Sequence, residues 1–267
     1  MEPKVHQMEK IAIRDGMVQY SFIEADRSTL NSIFVCVDHT GPTPRALLID
    51  AAYPGHARMV KHDLDAAGIK PEVILISHYH PDHAGGCSVF PGCAVYAPFH
   101  YETNFSNCQR WHPELTFIRP SRTFKNGDTF TFGPHRFEFS EAPGHSRCSM
   151  FITINQDVLH IGDLLMLDCG DKLNLPYISL GGNYKQYIDT LERLKTMPCH
   201  GVIIPHGTGI YAPERIIRAA DDYLFYLRKV LSSAGNLPLS ACLRDGMNAY
   251  AHPEFHDNNL MQLMLEQ

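Results

Sequence analysis

The sequence has a single tryptophan, no CxxC pair among its eight cysteines, no long basic run and no apolar stretch of membrane-spanning length. Without CxxC spacing, the cysteines read as small buried hydrophobes or free thiols of a reducing compartment. The missing apolar stretch excludes a transmembrane helix. A formal net charge of −6 with no basic stripe argues against a general nucleic-acid binder, which needs cations to neutralise phosphates. The opening "MEPKVHQMEKIAIRDG" scatters its charges and has no apolar block, so it does not read as a secretory signal. A soluble cytoplasmic protein is expected. Its 267 residues, 44% hydrophobic and 19% charged, suffice for a sizeable core.

Short apolar runs broken by turn signals fill the first two-thirds. Residues 17–25, 31–38 and 45–52 read as strands, the last carrying Asp50. Residues 54–68 begin with Pro, carry apolar residues at helical spacing and end with Gly, which predicts a helix. "EVILIS" is an apolar strand of the kind buried on both faces, and it leads directly into "SHYHPDHAGG". Residues 93–98 predict another strand. "TFKNGDTFTF" predicts a hairpin, because Asn126 and Gly127 accept the positive φ of a tight turn. Strands continue through residue 163. Residues 184–197 then form an amphipathic helix pattern, "HGVIIPHG" a short buried strand, and the remainder reads as helices. With no repeat and no low-complexity linker, the expectation is an αβ domain over 1–210 with a helical extension over 211–267 packed on it.

The chemistry is concentrated in HxHxDH. Residues two apart at a strand end point the same way, so His78 and His80 can chelate one ion. Asp82 and His83 follow at once and face elsewhere, which suits a second ion beside the first. Three further candidates stand at the ends of apolar strands next to Gly or Pro: His145, Asp163 and His206. Each taken singly is equally well read as a buried, hydrogen-bonded polar residue. Their shared pattern behind one HxHxDH cluster points to a common site.

In these residues and their order the chain resembles the metallo-β-lactamase-fold superfamily over roughly 11–210. The resemblance implies an α/β fold, a four-layer αββα sandwich with metals at one edge. It implies that His78, His80 and His145 hold one metal, that Asp82, His83 and His206 hold a second, and that Asp163 bridges them. Asp50 would orient ligands from behind. Two divalent ions are implied, zinc first, with iron or manganese as alternatives. The activity implied is hydrolysis of an ester, thioester or lactone by a hydroxide held between the metals, with Asp82 as the catalytic proton carrier. An Asp at position 163 differs from true zinc β-lactamases, so antibiotic hydrolysis is disfavoured.

The expected partner is a small-molecule substrate, with neither nucleic acid nor membrane. Phe99, Tyr101, Phe105 and Trp111 either line an apolar pocket over the metals or close the core beneath a long connection. Tyr177 is a possible polar contact to a substrate carbonyl. Arg215, Arg218, Arg228 and Lys229 either bind an anionic substrate part, as in the glyoxalase II branch, or form a solvated helix face. A mononuclear-iron oxidoreductase resembling persulfide dioxygenases and a phosphodiesterase are the competing readings.

Overall fold

The computed structural model describes residues 5–24 and 30–266. The first four residues of the opening stretch and residue 25 of the first expected strand lie outside them. Two sheets stack face to face. The first has seven strands in sequence order, β1 (Val5–Arg14), β2 (Met17–Glu24), β3 (Leu30–Asp38), β4 (Arg45–Ile49), β5 (Lys70–Leu75), β6 (Ala94–Pro98) and β7 (Arg122–Phe124). Pairing is antiparallel from β1 to β4 and parallel from β4 to β7. The second runs β12-β11-β10-β9-β8, built from β8 (Thr129–Phe132), β9 (His135–Glu141), β10 (Met150–Ile154), β11 (Val158–His160) and β12 (Gly201–Ile203). Only its β11–β12 pair is parallel.

Parallel neighbours need crossover connections, and helices supply them. α1 (Pro54–Ala66) joins β4 to β5, α2 (Pro81–Ala84) and a 3-10 turn join β5 to β6, and α3 (Glu102–Trp111) stands between β6 and β7. α1 begins at Pro54, where a missing N–H costs nothing. It buries Ala57, Val60 and Leu64 at helical spacing against the outer face of the first sheet. α4 (Tyr184–Leu194), α5 (Pro213–Ser232), α6 (Leu239–Cys242) and α7 (Phe255–Leu265) complete the chain. Leu191 of α4, Tyr223 and Leu227 of α5 and Leu263 of α7 share one core with Phe151 and Val202 on the outer face of the second sheet. A third core lies between the sheets, where Phe34, Leu47 and Leu75 meet Phe137, Met150 and Ile152. Helix, sheet, sheet and helix are therefore four layers over three cores.

Two local expectations differ from the structure. Asn126 and Gly127 do make a turn, with Gly127 at φ 86, but β7 and β8 do not pair. The turn hands the chain from one sheet to the other, since β7 pairs with β6 and β8 with β9. The sequence reading also passed over β1, whose Lys10 and Arg14 hide the strand pattern. β1 is an edge strand, where charge is tolerated and discourages pairing with another chain.

Candidate metal centre

All seven candidate residues follow the carboxyl end of a strand, where open αβ sheets gather ligand-binding side chains. His78 and His80 come after β5, and Asp82 and His83 open α2. His145, Asp163 and His206 follow β9, β11 and β12. Glycine makes two of these exits possible. At Gly144 (φ 144) an added Cβ would lie 2.4 Å from the Cα of Tyr187, so only glycine lets α4 pass behind His145. Gly162 at φ 52 turns the chain so that Asp163 faces inward.

Side-chain donors converge in two groups that share Asp163. One comprises His78, His80, His145 and Asp163, the other Asp82, His83, Asp163 and His206, and within each the donor atoms lie within 4.8 Å of one another. In the first, His80 Nδ1 stands 3.0 Å from His78 Nε2 and 3.1 Å from His145 Nε2. In the second, Asp82 Oδ2 stands 3.4 Å from His206 Nε2 and 3.8 Å from His83 Nε2. Asp163 Oδ2 lies 3.5 and 3.6 Å from His78 and His145, and 3.2 and 3.3 Å from His83 and His206.

The opposite side of each ring is held as well. Asp50 Oδ2 is 2.8 Å from His83 Nδ1, and Asp50 also accepts from the Ser77 amide and hydroxyl. Asp50 has φ 59, a strained conformation for a residue with a Cβ, and these bonds keep it there. His145 Nδ1–H donates to the Tyr177 carbonyl at 2.8 Å, and His206 Nδ1–H to that of Leu30 at 2.6 Å. Such contacts choose the tautomer that aims Nε2 inward. His80 is the reverse case, presenting Nδ1 to the cluster and Nε2 to the buried Asn104 amide at 3.2 Å. Asn104 Oδ1 otherwise has no partner, so the amide orientation that satisfies both groups turns Oδ1 toward the His80 Nε2–H. The sequence reading did not single out Asn104; an isolated polar residue within a helix gives no signal.

Burial alone would raise the carboxyls of Asp50, Asp82 and Asp163, yet neighbouring histidine charge holds all three below the ordinary range. Burial likewise opposes charge on His83 and His206, but Asp163 and its neighbours lift both, His206 to about 10. Burial and adjacent histidines push His80 well down, and burial takes His145 to about 4. The centre thus buries carboxylates that demand positive charge, beside neutral imidazoles with inward nitrogens. Tetrahedral coordination at about 2.0–2.1 Å puts neighbouring donors about 3.3 Å apart, which matches these spacings. Asp163 Oδ1 is buried without a hydrogen-bond partner. The donor set fits divalent cations, which would displace the protons on His83 and His206.

A cavity of about 490 Å³ opens over Asp82, His80 and His206. Of the four aromatics in the long connection, only Trp111 lines it. Tyr101 and Phe105 are buried around Tyr79, and Phe99 lies outside beneath Lys125. Tyr177 does line the cavity. The basic residues of α5 do not. Arg215 pairs with Asp171 at 2.7 Å, and Arg228 and Lys229 line a separate recess.

A family model described as the metallo-beta-lactamase superfamily matches residues 31–206. In overall shape the chain is similar to a metallo-beta-lactamase family protein from Thermus thermophilus. The TM-score is 0.67 at 18% identity, over 94% of this chain and 95% of that one. A metallo-beta-lactamase from Pontibacter korlensis gives a TM-score of 0.64 at 16% identity, over 81% of this chain and 100% of that one. The chain belongs to the metallo-beta-lactamase superfamily, as an enzyme on its hydrolase side. A hydroxyacylglutathione hydrolase from Bdellovibrio bacteriovorus is 28% identical over 79% of this chain and 72% of its own length. An acyl-coenzyme A thioesterase from Gallus gallus is 27% identical, over 60% of this chain and 65% of its own. A hydroxyacylglutathione hydrolase from Xanthomonas campestris pv. campestris is 31% identical, over 63% of this chain and 57% of its own. The chain therefore spans from just over half to under three quarters of these relatives. Family and donor set together imply a centre for two divalent cations. No helix among the described residues is long and apolar enough to cross a membrane.

Proposed function

We propose that the protein is a dinuclear metal-dependent hydrolase of thioesters, with related esters and lactones as further substrates. His78, His80 and His145 hold one cation, and Asp82, His83 and His206 the other. Asp163 belongs to both. The observation that carries this reading is the single oxygen, Asp163 Oδ2, within 3.6 Å of four histidine nitrogens drawn from two groups. The names of the relatives, a hydroxyacylglutathione hydrolase and an acyl-coenzyme A thioesterase, favour a thioester over a phosphodiester. Zinc is the favoured metal for a donor set of imidazole and carboxylate.

Two divalent ions, when bound, supply Lewis acidity and an ionised water near neutral pH. The chain's own residues do the rest. Asp163 and the five histidines would hold the ions, and Asp50 keeps His83 aimed inward. Asp82 lines the cavity and is partly exposed, with Oδ2 held near His206. It takes the proton of the attacking water and returns it to the departing sulfur, so that thioester and water become acid and thiol.

Metal analysis with a thioesterase assay tests this directly. Fully loaded protein should hold about two ions per chain. Asp163→Asn should deplete both, and His206→Ala mainly one. One firmly held iron per chain, with oxygen uptake in place of thioester cleavage, would overturn the assignment.

A further inference from the structure

Segments distant in sequence bring large apolar side chains to the same cavity. Trp111 comes from the end of α3, Met166 and Leu167 from just past Asp163, Tyr177 and Leu180 from the following loop, and Phe255 from α7. Trp111 and Leu180 are 62% and 48% exposed. A single exposed apolar residue needs no explanation, but a set that rims a cavity over a reactive centre marks a ligand surface. Phe255 is fixed there, stacked on His252 at 4.9 Å and packed on Tyr177 at 5.0 Å. Beyond the seven clustered residues, the described lining carries no Lys, Arg, Asp or Glu. Its polar members include the uncharged Asn107, Asn174 and Ser179, together with His112 and His252, which stand beside Glu114 and Glu254 at 3.6 and 2.7 Å.

Building on the thioesterase reading, we propose that the acyl group is an apolar chain of several carbons, and that Trp111 and Phe255 read its length. A small hydroxyacyl group would leave these walls facing water and would bring a hydroxyl for which the apolar side has no partner. An alkyl chain removes both penalties, gaining about fourfold in binding for each methylene taken from water. The amide and hydroxyl groups of Asn107, Asn174 and Ser179 suit an amide-bearing thiol carrier. Trp111 and Phe255 are not among the clustered donors, so their side chains act on what enters the cavity.

The test uses S-acyl thioesters of N-acetylcysteamine, a neutral carrier, with acetyl, butanoyl, hexanoyl, octanoyl and lactoyl groups. kcat/KM should rise at least about tenfold from acetyl to hexanoyl, with lactoyl among the poorest. Trp111→Ala and Phe255→Ala should flatten the series while metal content holds. Because Trp111 is the only tryptophan, its emission reports the cavity without turnover. Metal-loaded protein titrated with the S-octyl thioether of the same carrier, which has no acyl bond to cleave, should shift to the blue and saturate, and the S-methyl thioether should not shift it. A flat series, or a lactoyl optimum with no emission shift, overturns the proposal and leaves the hydrolase reading standing. Failure to cleave any member, in protein holding two ions per chain, instead overturns the thioesterase reading. In that case a saturable octyl shift still supports an apolar ligand surface, and its absence removes that too.

Discussion

Asn104 and His56 are both buried polar residues, and they behave in opposite ways. Asn104 completes a contact to His80, so its loss should be felt at the first donor group. Asn104→Leu leaves the His80 Nε2–H unpaired and frees the ring to turn. Metal affinity there should fall about 10–100-fold, the usual effect of removing a ligand's outer partner. Asn104→Asp, which still accepts from Nε2–H, should keep most of it; competition against graded chelators measures both. His56 is packed flat on Phe22 at 4.5 Å, and neither ring nitrogen has a hydrogen-bond partner among the described residues. Burial lowers its pKa to about 4 from an ordinary 6.5. Below pH 6.5 the unfolded chain takes up a proton that the folded chain refuses. Stability present above 6.5 is therefore lost as pH falls toward 4, by up to about 3 kcal/mol. His56→Phe should remove that part of the acid sensitivity, visible as a shallower fall in denaturation midpoint between pH 7 and 4.

At the level of elements, the main dependence runs from the C-terminal helix to the centre. Asn259 of α7 is fully buried; its amide donates to the Pro176 carbonyl at 2.7 Å and accepts from the Ile178 N–H at 3.0 Å. Between them lies Tyr177, whose carbonyl holds His145 Nδ1. α7 thus secures the loop that orients a candidate ligand. Asn259→Ala should destabilise the fold by about 1–3 kcal/mol, because two backbone groups are left unpaired in the interior. It should also weaken metal binding at the group containing His145 more than at the group containing His206. Equal loss at both groups would mean that α7 acts only on global stability. The turn at Asn126 and Gly127 carries a related lesson. Its local chemistry is legible in sequence, but whether a turn pairs two strands or moves the chain between sheets depends on which strands already wait on either side.

For the whole molecule, three carboxylates among histidines, Asp50 and Asp163 buried and Asp82 at the cavity wall, couple the centre to folding. Cations that bind the folded chain alone add RT ln(1 + [L]/Kd), about 2.7 kcal/mol at a hundredfold excess over Kd. Chelation should accordingly lower the melting temperature, and zinc should restore it more fully than magnesium, which prefers oxygen donors. A melting temperature that chelator leaves unmoved, in protein shown to hold metal beforehand, would count against a built metal site. α5 and α7 share their core with the second sheet, so these helices should unfold together with that sheet.

The sequence alone was enough to determine the HxHxDH cluster, most of the strands and helices, and the three later ligand candidates with their flanking Gly or Pro. Each of these depends on neighbours only a few positions apart, where backbone periodicity sets the direction of side chains. Only the tertiary structure decided what stands behind the ligands. Leu30 meets His206 across 176 positions, Asn259 meets Ile178 across 81, and Asn104 meets His80 across 24. No local pattern constrains such pairs: the stacking of the two sheets brings Leu30 to His206, and the packing of α3 and α7 brings Asn104 and Asn259 to theirs. The same holds for the aromatics of the long connection. Tyr101 and Phe105 went to the core and Trp111 to the cavity, according to the face of the chain that the first sheet was able to bury.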